Sequence, residues 1–259
     1  MSKKMAAMWG LFALFSVLVT ALIFLPVSWL ALLLEKQTGG RLSLGDVQGS
    51  FWRGSAFIGG ASGSSGPVTP LFPGRFSWRI SPMILLGQME LTLENTAALS
   101  QPVVMSGNLG QWRITAANLF LPPERLEGLG APLNTIGPTG QMRLSWNALE
   151  FTRYDNKLDI AGVMQLDMTN MASRLSSIKP LGSYQLSFDW HGQIADIVLA
   201  TVKGPMLLSG NGSMNGGRFR FSGKAQADAG QEEKLANLLN LLGQRRKDGD
   251  KDVIALEFK

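Results

Sequence analysis

The sequence predicts a mainly β protein: one N-terminal transmembrane helix, then a long, curved, unclosed antiparallel sheet of groove-like form with a few short helices. Three observations carry this. Residues 5–34 contain no charged side chain. Beyond residue 40, short segments alternate apolar and polar residues, the period of a strand with one buried and one solvated face. Gly, Asn or Pro interrupts these segments every ~8–12 residues, the rhythm of an all-β chain.

The apolar stretch covers about 30 positions where a bilayer core needs about 20. Lys3 and Lys4 precede it, and Glu35 and Lys36 close it. The lysines predict a cytoplasmic N-terminus and an exported C-terminal part. Trp9 and Trp29 bracket the stretch as interfacial aromatics do, and Pro26 marks where the helix leaves the hydrocarbon. A cleaved signal peptide fits less well, because its apolar region is only about 7–15 residues. A cut after Ala21 would also leave Leu22-Ile23-Phe24-Leu25 exposed. The expected division is therefore a tip and anchor at residues 1–36 and an exported β-domain at residues 37–259.

Strict alternation places strands at Arg41–Val47, Gln88–Leu93, Gln141–Trp146, Ser183–Trp190 and Gly217–Gly223. Asn215-Gly216-Gly217 reads as a tight hairpin turn. Gly59–Gly66 reads as a loop or wide hairpin tip. Pro122–Gly130 reads as one helical turn, opened by prolines and closed by glycines. Gln231–Arg246 is the longest helical candidate of the exported part. Acids stand at its start, bases at its end, and Leu235, Leu238, Leu239 and Leu242 fall at helical spacing. Asn170–Ile178 is a further short helical candidate, and Val253–Phe258 a final strand. The grammar is the same on both sides of residues 122–140, so two similar β-halves meeting there are compatible with it.

Composition narrows the function. With 259 residues and 45% hydrophobic residues, the chain can bury a sizeable core. Its net charge is +5, yet the one dense basic run, Gln244–Lys247, is followed by Asp248, Asp250 and Asp252. That pattern argues against a nucleic-acid partner. Cysteine is absent, which excludes disulfides, thiol chemistry and Cys-ligated metals. The single histidine, His191, has no carboxylate motif that would mark it as a catalyst, and one His without Cys is a poor start for a zinc site. Asp248, Asp250 and Asp252 resemble a calcium loop, but Val253 stands where its sixth-position Gly belongs and Lys259 where its twelfth-position Glu belongs. Ser50 in Gly49–Gly54 is not centred between glycines as a nucleophile elbow requires, and no Gly-rich loop ends in Lys-Ser or Lys-Thr. No catalytic, cofactor-binding or metal site is expected. Trp52, Trp78, Trp146 and Trp190 lie in or beside strands. They read as core packing, or else as the lining of an apolar groove with Trp78, Leu91, Trp146 and Phe188 on its concave face.

A series of short segments resembles the type II secretion system protein N family. They are Thr38–Arg41, Gly49-Ser50-Phe51-Trp52-Arg53-Gly54, Pro73-Gly74-Arg75-Phe76-Ser77-Trp78, Leu126–Thr135, Arg174–Ser176, Pro180–Tyr184, Gly204–Leu208 and Leu238–Gly243. Their order over some 200 residues carries the likeness. The resemblance implies a bacterial inner-membrane protein with a periplasmic domain, associated with the machine that exports folded proteins across the outer membrane. It implies partners on the inner-membrane platform or the outer-membrane secretin side, and it transfers no catalytic residue. The architecture is also similar to that of periplasmic β-groove proteins that handle lipid, a likeness at fold level alone.

Overall fold

The computed structural model describes residues 3–62, 66–155, 157–248 and 251–258. The N-terminal apolar stretch forms two helices, α1 (Lys3–Ile23) and α2 (Ser28–Gln37). The break falls at Leu25-Pro26, where the chain forms a β-bridge from Pro26 to Ser50. Proline lacks the N–H that a continuing helix would use and disfavours helix at the residue before it. The one N-terminal helix expected is thus corrected to two, divided at Pro26. Among the described residues, no helix is long and apolar enough to cross a membrane.

The strands follow as β1 (Leu42–Gly49), β2 (Arg53–Gly60), β3 (Thr69–Pro70), β4 (Phe76–Ile80), β5 (Gln88–Glu94), β6 (Val103–Asn108), β7 (Gln111–Ile114) and β8 (Ala117–Leu121). A 3₁₀ turn, Pro82–Leu86, links β4 to β5, and a second one, Pro123–Leu129, leads into the short α3 (Leu133–Ile136). Then come β9 (Pro138–Trp146), β10 (Leu149–Tyr154), β11 (Lys157–Ser173), β12 (Gly182–Gly192), β13 (Ile194–Lys203), β14 (Met206–Asn215) and β15 (Arg218–Ala227). The helix α4 (Glu232–Leu242) precedes the closing pair β16 (Gln244–Asp248) and β17 (Lys251–Phe258).

All 17 strands of the described residues belong to one sheet. Nearly every strand pairs antiparallel with its sequence neighbour. β7 and β8 act as one interrupted strand along β10 and β9, which in turn lie end to end along the long β11. The one inversion is at the end: β17 returns against β15, leaving β16 outermost. β1 forms one edge with α2 packed alongside it, β16 forms the other, and the sheet stays unclosed. Register shifts in β1 between Gly45 and Gln48, and in β11 between Met168 and Met171, mark bulges. The residues turned to positive φ there are Asp46 and Asn170, types that tolerate that conformation. Such bulges bend a sheet.

The apolar side chains converge on one face in two clusters. The first gathers Phe76, Ala98, Leu99, Val103 and Ala117. The second gathers Met171, Tyr184, Ile197, Phe221, Ile254 and Leu256 beneath α4, which contributes Leu235, Leu238 and Leu239. Phe221 lies across Gly210, Gly212 and Gly223. A Cβ on any of the three would come within 2.5–2.9 Å of its ring, so those glycines leave the floor on which the ring lies flat.

The expected strands, the Asn215-Gly216-Gly217 hairpin, the Pro122–Gly130 turn and the final strand appear at or near their expected places. Three expectations are corrected. Gly59 and Gly60 lie inside β2, paired with β1 and β3, while the loop that follows passes through residues outside the described set. The helix expected to reach Arg246 stops at Leu242, because residues 244–248 satisfy their backbone by pairing with β17. Asn170–Ser173, expected to begin a helix, continue β11 beyond its bulge, since Met171, Ala172 and Ser173 keep strand partners in β12 and β9.

Candidate interaction surface

The segment Gly49–Gly54 is the socket for the N-terminal helices. Gly49 turns at φ 92°, and the Ser50 N–H donates to the Arg53 carbonyl at 2.8 Å, closing the β1–β2 turn. Trp52 Nε1 donates to the Leu22 carbonyl at 2.7 Å, capping one of the last α1 carbonyls that a helix cannot satisfy itself. The Phe51 N–H donates to the Leu25 carbonyl at 3.1 Å. Phe51 and Trp52 meet edge to face at 5.2 Å. Trp78 Nε1 donates to the Phe51 carbonyl at 3.0 Å, and the Ile80 N–H to the Trp52 carbonyl at 2.7 Å. Two tryptophans read as core residues are therefore also hydrogen-bond donors that fix the helix exit to the sheet.

Beside this socket, Arg75 ties the β1 bulge to β2. Its guanidinium binds the Asp46 carboxylate and main-chain carbonyl, reaches Ser55 Oγ at 3.2 Å, and lies 4.7 Å over the Phe57 ring. The bond from Arg75, aided by the Gln48 amide, holds the Asp46 carboxyl below the ordinary carboxylate value. On the polar face, partial burial pushes the Asp167 carboxyl up. Donors on Arg143 (2.9 Å), Gln165 (2.8 Å) and Gln185 (3.4 Å) together outweigh it, so its pKa lies below the ordinary 3.8. Arg143 and Asp167 border a surface cavity of about 560 Å³ with Phe120, Pro123 and Glu124.

The opposite face carries apolar rungs in register from strand to strand. One runs Leu119, Leu144, Leu166, Leu186, Leu199, to Gly210. The next joins Trp146, Met164, Phe188 and Ile197. Of the four residues expected to line a groove, Trp146 packs on the first cluster and Phe188 on the second, while Trp78 neighbours Leu93 and Leu91 neighbours Met105. The four share the apolar face but do not converge on one cavity. Between the clusters, Leu144, Met164, Leu166, Leu186 and Phe188 are half-buried.

His191 is less isolated than its sequence neighbourhood indicates. Asp189 and Asp196 stand opposite each other across the β12–β13 hairpin, with oxygens 3.5 Å and 3.8 Å from His191 Nε2. The signal was present: a turn at Gly192-Gln193 puts Asp189 opposite Asp196. The trio is open to solvent, and among the described residues no group of acids and histidines is arranged to hold a metal ion. The loop resembling a calcium site includes Gly249 and Asp250, outside the described residues.

The class of protein is an open antiparallel sheet with one apolar face and a helical segment bonded to its first turn. A family model described as type II secretion system (T2SS), protein N matches residues 40–253, and the chain belongs to that family. The match covers the sheet from β1 to the start of β17. The family places the chain among accessory components of type II secretion and protein transport, and implies interaction with other components of that system. Neither a curated protein nor a solved structure matches it.

Proposed function

We propose that the chain is a non-catalytic, inner-membrane-anchored accessory component of the type II secretion system, and that its sheet works as a periplasmic interaction domain in the export of folded proteins across the outer membrane. The carrying observation is the junction. Residues 5–23 of α1 carry no charge and present Met8, Trp9, Leu11, Phe12, Leu14, Phe15 and Val17 to their surroundings around the helix. A helix apolar all round belongs in a core or a membrane. Residues 5–23 extend about 28 Å at 1.5 Å per residue, short of the ~30 Å of a hydrocarbon core, so the anchor reading takes in the uncharged residues through Leu34 as well. Residues 1–36 are thus read as tip and anchor with a cytoplasmic N-terminus, and residues 37–259 as the periplasmic part. Partners are other secretion components, on the inner-membrane platform or the secretin side.

Co-purification of the full chain with the inner-membrane platform tests this reading, together with cysteine cross-linking from the edge strands. Deletion that leaves both secretion and platform composition unchanged, in a strain that carries the protein, overturns it.

A second reading, that the sheet binds or bridges lipid between membranes, is favoured by the half-buried rungs between the two clusters. Native mass spectrometry of the detergent-released chain decides it. Retained lipid supports it, and a lipid-free chain removes it.

A further inference from the structure

The most exposed large apolar side chain among the described residues is Leu86, at 77%. It ends the 3₁₀ turn Pro82-Met83-Ile84-Leu85-Leu86, in which no residue is buried. Met83 and Leu85 are exposed as well, and so is Leu109 on the neighbouring β6–β7 turn, whose N–H donates to the Gly87 carbonyl at 3.2 Å. Ser81 to Gly87 carries no charge. Single exposed leucines are ordinary on a protein surface. Four large apolar side chains on two adjacent turns make a candidate contact surface.

Position identifies its partner. The tip begins two residues after Ile80, whose N–H is bonded to the Trp52 carbonyl, while the Trp52 indole is bonded to Leu22 near the end of α1. The tip therefore leaves the sheet at the end where α1 joins it. Its backbone is also prepared for a medium poor in water. Ser81 Oγ accepts from the Met83 N–H at 3.4 Å, and Gly87, at φ 85°, turns its N–H back onto the Ile84 and Met83 carbonyls. A segment that satisfies backbone groups internally enters a low-dielectric layer at reduced cost.

We propose that Met83, Leu85, Leu86 and Leu109 form a shallow membrane-contact tip that sits in the lipid surface beside the exit of α1. The proposal rests on the reading of α1 as a membrane anchor. Amphipathic helices that lie in this layer bury their apolar face about 5–10 Å into the headgroup and acyl boundary, the layer assigned to the tip. With α1 as one point of attachment and the tip as a second, the sheet is held at a fixed tilt to the bilayer instead of swivelling about one helix.

The chain has no cysteine, so single cysteines can be labelled without background. The variants Leu86→Cys, Phe15→Cys and Val202→Cys, each in the full chain, are labelled with an environment-sensitive fluorophore. They are then reconstituted into vesicles of phosphatidylethanolamine and phosphatidylglycerol. Val202 is exposed at the opposite end of the sheet. Lipids spin-labelled near the headgroup should quench the Leu86 and Phe15 sites and spare Val202. Aqueous iodide should quench Leu86 several-fold less than Val202. If Phe15 is lipid-quenched while iodide reaches Leu86 as freely as Val202, the tip contact is wrong and the anchor stands. A Leu86 site shielded from both quenchers marks a protein contact, such as a second copy, and also overturns the proposal. If iodide reaches Phe15, the anchor reading fails and takes the tip contact with it.

Discussion

Phe221→Ala should be among the most damaging single substitutions in the sheet. Phe221 is 8% exposed, and a buried phenylalanine removes roughly 150–250 Å² from water. At about 25 cal/mol per Å² that is about 4–6 kcal/mol, of which the remaining Ala Cβ keeps a part. Measured Phe→Ala losses in cores are about 3–5 kcal/mol, and the value within that range depends on how far the site can collapse. Here the floor is Gly210, Gly212 and Gly223, which have no side chains to move into the space. The upper part of the range, about 4–5 kcal/mol, is therefore expected. With a urea m-value of about 2–3 kcal/mol/M, the midpoint should fall by roughly 1.3–2.5 M. The assay is urea unfolding of the full chain in mild detergent, followed by far-UV circular dichroism. Phe258→Ala is the control. Its ring lies 6.3 Å from that of Phe221 but is 54% exposed, and about 1–2 kcal/mol is expected. If Phe221→Ala moves the midpoint no further than Phe258→Ala, the ring is not a keystone over a glycine floor and the reasoning fails.

Trp52→Phe keeps the aromatic contact with Phe51 but removes the donor to Leu22. It should loosen the junction by about 1 kcal/mol, read as faster proteolysis between residues 23 and 27 with an unchanged unfolding midpoint for the sheet. Tyr184→Phe removes a buried bond to the Met206 carbonyl and should cost about 1–1.5 kcal/mol in urea unfolding. Burial pushes the Tyr184 phenol well above its ordinary value, so ultraviolet titration should show no phenolate from it until the chain unfolds. Asp167 has a folded pKa below its unfolded value, so its stabilising share is present above the ordinary 3.8 and is lost as pH falls through the folded value. Asp167→Asn should therefore lower the melting temperature at neutral pH and flatten its decline below pH 3.8. An acid profile parallel to that of the parent chain would show that the Arg143, Gln165 and Gln185 bonds do not favour the charged form.

The alternating strands were legible because a half-buried strand writes its two faces into successive residues: Ser183–Trp190 and Gly217–Gly223 need no neighbour to be recognised. α4 was legible for the same reason at another period, but its end was not. Gln244–Asp248 becomes a strand only because β17, later in the chain, offers it partners. Met171–Ser173 in β11 were missed because strands on both sides hold them past a bulge that looks local. The socket was half legible. The segment Gly49–Gly54 stood out as a family signature, but its use depends on a bond from Trp52 to Leu22, 30 residues earlier, which no local pattern encodes. The same holds for Arg75 and Asp46, 29 residues apart.

The two edges of the open sheet decide how a partner strand would join it, and they are not equivalent. Unpaired strand edges recruit other chains unless they are covered or charged. At β1 the protection is physical, because α2 packs alongside, so a partner must displace a helix whose segment is itself bonded to the β1–β2 turn. At β16 the protection is electrostatic. The strand reads Gln-Arg-Arg-Lys-Asp, and Arg246 is bonded to Glu257 of β17 at 2.8 Å. A neutral apolar strand added there would have to desolvate the arginines for no return, whereas one carrying Asp or Glu would gain charged hydrogen bonds as it gained the ladder. If a partner strand adds to this sheet, β16 is thus the cheaper edge and an acidic segment the better fit. If a partner does add there, reversing the charge at Arg245 and Arg246 should abolish cross-linking to it from β16.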